Sequence, residues 1–477
     1  MRYITKSDLI IIAHNSGNLM IGIGLMCLIP LIFDLVYFEF DIISFVLPAI
    51  FSIVLGYFSR EYFDKNSVKK IRLKHGMMIS SFAWLWASLI GGFVFTLQTG
   101  IPLIDGVFES MSALTGAGIT MFSDVEILPH SILFFRSLEQ WVGGLGVVVM
   151  VIGVLTKPGS VSSKLYQSEA RDERIKPSIK TTLKKTLEIY LIYTVAGIIL
   201  YLLAGMPLFD SICNSFHIIS TGGMSIKNAN MGYYHDDLIY FISIVLMILG
   251  ATSFLVHYKV IKTRGKSLFE DLQFKIIITV IAVVTLMLYF VSNIVPMDLL
   301  FTVVSAITTT GANVVPADMM AGWPSFVIIC LMCLMLIGGS NGSTVGAIKL
   351  VRMITFFKGI YRHIREILSP DGRIVPVKLH GHTIPEKSIA QAGNFITLYM
   401  MFIMFTWAMF CLFGYVPFRS LFAAISLQGN NGLELGIVNY TLHPILKIIS
   451  MFDMWTGRLE IYPVLVMLRA GFEILKR

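Results

Sequence analysis

The strongest constraint on this chain is a short element that occurs four times. Asp105–Gly118, Asp210–Gly223, Asp298–Gly311 and Arg419–Gly432 each set a charged residue at one fixed interval before a glycine, with Pro102, Pro207, Pro296 or Pro417 just upstream. This is an internal repeat. Each copy is too short to cross a bilayer, which takes about 20 apolar residues, because a helix of this length rises only roughly 15 Å. A half-span is tolerated at membrane depth only where protein or a water-filled path shields its non-helical end. Four such elements around one axis meet that condition. Asp105, Asp210 and Asp298 are expected as N-caps, which directs the negative C-terminal ends of the half-helices toward the membrane centre, where they favour a cation.

Each predicted half-helix runs into small or hydroxylic residues that end in glycine. The four runs are Thr115-Gly116-Ala117-Gly118, Ser220-Thr221-Gly222-Gly223, Thr308-Thr309-Thr310-Gly311 and Gly429-Asn430-Asn431-Gly432, the last preceded by Gln428. Glycine supplies the backbone angles that a carbonyl-lined strand needs, and small neighbours allow close approach to the axis. Rings of such carbonyls can replace the water around dehydrated K⁺. One copy alone reads as an ordinary turn; four in phase read as a selectivity filter.

Composition sets the solvent. Hydrophobic residues make up 56% and charged residues 14%, with a mean hydropathy of +0.77, so the expected chain is an all-α polytopic membrane protein. The net charge of +8 reflects topology, and nucleic acid is not an expected partner. Basic residues crowd four alternate loops, Arg60–Lys74, Lys157–Lys180, Lys259–Lys266 and Arg352–Lys387. By the positive-inside rule these loops and both termini are cytoplasmic, and the four half-helices enter from the outside. The five cysteines lie in apolar segments and read as small buried hydrophobes, Cys330-x-x-Cys333 included.

The chain divides into an N-terminal transmembrane hairpin (residues 1–75) and four parallel helix–pore-loop–helix units, residues 76–181, 182–272, 273–390 and 391–477, in pseudo-fourfold symmetry about a pore. No signal-peptide cleavage pattern opens it, so the first helix is expected to be retained. One spanning helix is predicted to be broken, in the third unit, where Gly338-Gly339-Ser340-Asn341-Gly342-Ser343-Thr344-Val345-Gly346-Ala347 interrupts an apolar helix that resumes near Lys349. A polar break at this depth needs a solvating cavity, and the pore offers one. It is not a phosphate-binding P-loop, since Ser343 stands where the lysine belongs. Arg458, expected near the middle of the last helix, is a functional candidate, with pairing to Glu460 or snorkelling as the plainer reading. Arg136 is read as snorkelling or pairing with Glu139. His380 and His382 are too few for a metal site. The proline-rich segment 369–387 suggests a surface for another protein. No intramembrane nucleophile, carboxylate pair or metal cluster indicates an enzyme.

These residues resemble the Trk/Ktr/HKT superfamily of potassium transporters, and within it the TrkH/TrkG-type membrane subunit. The most specific pieces are Arg136–Gly146, Gly338–Lys349 with Arg352, and Gly457–Glu460. The resemblance implies K⁺ uptake across the bacterial inner membrane by a homodimer with one pore per subunit, K⁺ as the transported ion, no bound organic cofactor, and a cytosolic nucleotide-binding TrkA-like regulatory subunit. It also implies that Gly118, Gly223, Gly311 and Gly432 are filter glycines, that Gly338–Ala347 is a gating loop, and that Arg458 lies beneath the filter. Gly116-Ala117 and Ala347 depart from the usual Thr-Thr and Gly. A symporter coupling K⁺ to H⁺ or Na⁺, and a less selective K⁺/Na⁺ channel, are the alternatives.

Overall fold

The computed structural model describes residues 5–63, 72–146, 179–263, 266–370, 375–376, 378–379 and 382–476. The N-terminal unit is α1 (Lys6–Cys27), α2 (Leu31–Tyr37) and α3 (Ile42–Tyr62). α1 and α3 pack backbone to backbone, because a Cβ on Gly17 would strike the Gly56 carbonyl and one on Gly56 would strike that of Gly17. The short link between α2 and α3 then clamps the next unit. Glu39 accepts the amides of His130 and Ser131 (2.7 and 3.2 Å), two of the unpaired donors that begin α6 (His130–Leu145).

Four units follow. Each begins with one uninterrupted helix long and apolar enough to span a membrane: α4 (Leu73–Thr99), α7 (Ile179–Leu203), α11 (Leu272–Val291) and α15 (Glu386–Leu412). Each continues into a short half-helix: α5 (Leu103–Thr115), α8 (Leu208–Ile219), α12 (Pro296–Ile307) and α16 (Pro417–Gly429). The architecture is thus all-helical with four pore-type repeats. The exception is a two-residue antiparallel ladder, β1 (Lys378–Leu379) with β2 (His382–Thr383), within the segment expected to be a partner surface.

Two expectations are corrected. The prolines, not the aspartates, open the half-helices: Pro102 and Pro207 are N-caps, and Pro296 and Pro417 take the first turn. Proline loses nothing there, since its missing N–H is one the helix leaves unpaired. Asp105, Asp210 and Asp298 fall within the first turn, where the macrodipole still favours them and where Asp105 and Asp210 reach outward to partners. Asp105 takes Lys447 (2.5 Å), and Asp210 takes the Tyr234 hydroxyl (2.9 Å).

The second correction concerns the breaks. Interruption is a property of the second helix of more than the third unit. α9 (Asp237–Gly250) turns by 104° into α10 (Phe254–Thr263), α13 (Ser325–Ile337) is separated from α14 (Leu350–Ile367), and α17 (Pro444–Arg458) from α18 (Tyr462–Leu475). α6 likewise ends at Gly146, in a left-handed conformation with φ 94°. The helix expected to run on to Leu155, and the basic loop through Lys176, lie outside the described residues. Sequence could not separate these breaks from continuous helix, because Ala251-Thr252-Ser253 and Leu459-Glu460-Ile461 are short and carry no glycine. In the fourth unit the backbone turns instead at Glu460 and Ile461 (φ 57° and 65°), ahead of Pro463.

The breaks sit behind the half-helices. Gly143, Gly250 and Gly457 press their Cα faces on the carbonyls of Leu114, Ile219 and Gln428, closer than any side chain allows. Each of these carbonyls belongs to the residue four positions before a repeat glycine, so three units share one contact.

Candidate functional site

The four half-helices end alike. The amide of the residue after the cap bonds back to a carbonyl five positions earlier in every unit: Ala117 to Ser112 (3.0 Å), Gly222 to His217 (2.8 Å), Thr310 to Ser305 (3.0 Å) and Asn431 to Ser426 (2.9 Å). This is the bonding of a left-handed helix cap. The cap residue has positive φ each time, at Gly116, Thr221, Thr309 and Asn430 (77°, 53°, 49° and 48°). So does the residue two further on, at Gly118, Gly223, Gly311 and Gly432 (69°, 72°, 73° and 97°). Glycine was expected at the second position. That Thr221 and Thr309 also take left-handed angles, at a cost of about 1–2 kcal/mol each, was not legible in sequence; Asn430 is of a type that takes them more readily.

The four strands close a ring in chain order. A Cβ on Gly118 would meet the Gly222 carbonyl, one on Gly223 that of Thr310, one on Gly311 that of Asn431, and one on Gly432 that of Ala117, all at or inside 2.5 Å. Of the predicted filter residues, Ala117, Gly118, Gly222, Gly223, Thr310, Gly311, Asn431 and Gly432 are thereby brought into one ring. Thr115, Ser220 and Thr308 close the helices behind it: the Thr115 and Thr308 hydroxyls bond to carbonyls four residues back, both at 2.7 Å, and that of Ser220 to the His217 carbonyl at 3.1 Å. The Asn431 amide crosses between units to the Ala306 carbonyl (2.9 Å).

Around the ring lie buried charges. Glu109, fully buried in α5, accepts Arg136 Nε (2.8 Å), the Thr120 hydroxyl and the Met121 amide (2.6 Å). Arg136 is 1% exposed and also donates to the Ser225 carbonyl (2.9 Å), so it neither snorkels nor pairs with Glu139. Gln140 grips both the amide and the carbonyl of Met224, just past the second strand (2.8 and 2.9 Å). Glu109 was missed in sequence, although a carboxylate within a short apolar half-helix is itself a signal.

The polar break of the third unit packs against the same ring. The Gly346 amide donates to the Thr309 hydroxyl (3.1 Å) and that of Ala347 to the Gly429 carbonyl (3.1 Å), while the Thr344 and Thr221 hydroxyls meet at 3.0 Å. Gly338, Gly339, Ser340 and Ser343 are buried, and Asn341 and Gly342 are half-buried. The Ser340 amide bonds to the Ala251 carbonyl and that of Asn341 to Gln273, while the Gly342 carbonyl accepts Phe254, so the loop is fastened to the second unit's own break. Arg458, at the end of α17, donates to Thr344 O (2.5 Å), Gly143 O (2.6 Å) and Gly144 O (2.9 Å). It therefore joins the loop to the end of α6. Glu460 turns away to Lys349 (2.7 Å) and Arg352.

Space is divided unequally across the ring. On the half-helix side a cavity of about 330 Å³ opens on Gly118, Gly311 and Gly432. On the loop side, among the described residues, a cavity of about 20 Å³ lies among Trp84, Gly146, Ser343, Val345, Lys349 and Arg458. That is room for roughly one water.

The chain is similar to known proteins over most of its length. The sequence model of the TrkH family, described as cation transport protein, matches residues 44–473, which extends the likeness into α3. An uncharacterized cation transporter of Methanocaldococcus jannaschii is 37% identical, covering 97% of this chain and 96% of its own. The Trk system potassium uptake protein TrkG of Escherichia coli is 30% identical over 97% of this chain and 98% of its own length. TrkH of Salmonella typhimurium is 30% identical over 86% and 88%. The crystal structure of the potassium transporter TrkH from Vibrio parahaemolyticus superposes with a TM-score of 0.86 at 25% identity, covering 96% of this chain and 98% of that one.

Proposed function

We propose, for a chain that belongs to the TrkH family of cation transport proteins, that it is a multi-pass membrane protein taking up K⁺ through the ring formed by its four half-helix ends. The observation that carries this reading is the closed ring of glycines against carbonyls, in which each unit supplies one wall. Residues of positive φ recur at alternate positions along every strand, an arrangement that suits backbone oxygens to the ion's lost hydration shell. The four negative helix ends add a favourable field for a cation.

Gly338–Ala347 is the gate in this reading, with Lys349 and Arg458 as its fastenings, because this loop packs on one side of the ring while a cavity of about 330 Å³ opens on the other. In this reading the loop side is cytoplasmic, which the basic loops support. α14 leaves the loop directly and exposes Phe357, Tyr361 and Ile364, with Leu368 just past its end, a face suited to a cytosolic nucleotide-binding partner that could pull on the break. A homodimer with one pore per chain and units bounded at 76–181, 182–272, 273–390 and 391–477 complete the proposal.

Uptake of ⁸⁶Rb⁺ by proteoliposomes, competed with K⁺ and Na⁺, tests the transported ion; equal competition by Na⁺ defeats the selective reading. Deleting Ser340–Thr344 is expected to give high flux that no longer responds to the partner or its nucleotide. A deleted protein that inserts and still responds puts the gate elsewhere. Coupling of K⁺ to H⁺ is the second reading, favoured by the buried carboxyl groups of Glu139 and Asp453 behind two of the half-helices. Reversal potentials under imposed H⁺ gradients separate the two.

A further inference from the structure

One residue of each unit stands two positions beyond the ring glycine: Thr120, Ser225, Asn313 and Glu434. All four line the cavity of about 330 Å³ above the ring. Their surroundings differ in charge. The cations that share this cavity are neutralised, Arg136 by Glu109 (2.8 Å) and Lys227 by Asp210 (3.8 Å). Glu434 is not: its carboxylate accepts the amides of Gly436 (3.0 Å), Ile437 (3.0 Å) and Val438 (3.2 Å), and among the described residues no lysine or arginine pairs with it. Burial pushes the Glu434 carboxyl above its ordinary value, and the three amides work against that by favouring the ionised form while they fix its direction. Asn313 makes no side-chain hydrogen bond among the described residues. Ser225 Oγ accepts the Lys227 amide (3.1 Å), and the Thr120 hydroxyl serves Glu109 and the Phe122 amide.

We propose that this ring of side chains is a cation-binding site at the mouth of the path, taking a monovalent cation that keeps part of its water, with Glu434 supplying charge and Asn313 and Ser225 supplying neutral oxygen. A space of this size holds several waters at about 30 Å³ each, so the ion need not shed its shell there as it must in the narrower ring below. A fixed negative charge in a walled cleft concentrates cations before they commit to the filter. The site therefore acts on the concentration dependence of uptake and not on the maximal rate. Glu434 is a residue of this one wall, so the site is asymmetric, its charge standing on the fourth unit opposite the second.

The proposal rests on the filter reading and is tested in the full-length protein in proteoliposomes by ⁸⁶Rb⁺ uptake. Glu434→Gln is expected to raise the apparent KM for Rb⁺ about three- to tenfold with the maximal rate within about twofold. The effect should shrink when choline chloride shortens the screening length from about 30 Å at 0.01 M to about 10 Å at 0.1 M. A fall in maximal rate with KM unmoved, or a KM change indifferent to salt, means that the carboxylate only caps its own turn, and overturns the proposal. Because Glu434→Gln can disturb that turn, Asn313→Asp provides a second arm with no hydrogen bond to lose. It is expected to lower KM and to make uptake newly sensitive to external Mg²⁺; an unchanged KM overturns the site. Absence of Rb⁺ flux in the unmodified protein would sink the filter reading instead, whereas intact selective flux with both KM values unmoved sinks this site alone.

Discussion

At the scale of single residues, the conformational demands are sharpest where side chains are smallest. Gly118 combines φ 69° with the Gly222 carbonyl 2.5 Å from where a Cβ would sit. Gly118→Ser must therefore shift the first strand against the second, and a reduced K⁺ to Na⁺ permeability ratio is expected in proteoliposomes; an unchanged ratio removes Gly118 from the filter. Ala347 is the opposite case, a residue with a Cβ in left-handed space (φ 56°). Relief of that strain is worth about 1–2 kcal/mol, and the freer unfolded chain returns about 0.4–1 kcal/mol. Ala347→Gly is thus expected to raise the thermal midpoint slightly in detergent. A lowered midpoint would show that contact of the Ala347 methyl with Gly338 outweighs the strain. The sequence marked Gly118 by its glycine-rich run and Ala347 as a departure from the family's glycine, but not the left-handed angles of Thr221 and Thr309, which come from the helix cap they close and not from any preference of their own; asparagine, as at Asn430, takes such angles more readily.

At the scale of elements, the repeat was legible because proline, charge and glycine recur in phase, and the spanning first helices were legible because they are long and uniformly apolar. The third unit's break was legible too, as a long polar run, but the interruptions in the second helices of the other units were not. Their breaks are made by tertiary contact, where Gly143, Gly250 and Gly457 let a half-helix carbonyl in, and hydropathy sees only apolar residues on either side. That shared contact puts Glu139 and Asp453 in equivalent places, one turn before Gly143 and Gly457. The half-helix residues opposite differ: Ser110 donates to Glu139 (2.6 Å), whereas its equivalent is Ala424, so the fourth half-helix offers Asp453 no donor and the carboxyl faces the Thr406 hydroxyl of α15 instead. Ala424→Ser should supply the missing donor and stabilise the protein by about 1 kcal/mol, and Ser110→Ala should cost about 1–3 kcal/mol. Thermal unfolding of both variants checks the pair; a destabilising Ala424→Ser would mean that the fourth unit has no room for the hydroxyl.

At the scale of the whole molecule, the N-terminal hairpin is fastened to the first unit through Glu39. Burial alone would push its carboxyl up, but the amides of His130 and Ser131 with their side chains outweigh that and hold it below the ordinary value. A depressed carboxyl stabilises the fold above its unfolded pKa, and the contribution fades as pH falls through the lower folded value. Glu39→Ala is expected to cost about 1 kcal/mol at neutral pH and progressively less in acid; a cost that persists in acid would assign the effect to packing. The hairpin itself was legible as two apolar segments, but this clamp was not, since its partners are 91 residues apart. The closed ring has a last consequence. Where four identical subunits build a pore, any change of sequence falls on every wall at once. Here the walls are written separately along one chain, as Thr-Gly-Ala-Gly, Ser-Thr-Gly-Gly, Thr-Thr-Thr-Gly and Gly-Asn-Asn-Gly. Ion preference can then drift in quarter steps, one wall tolerating a trial that the other three hold in check.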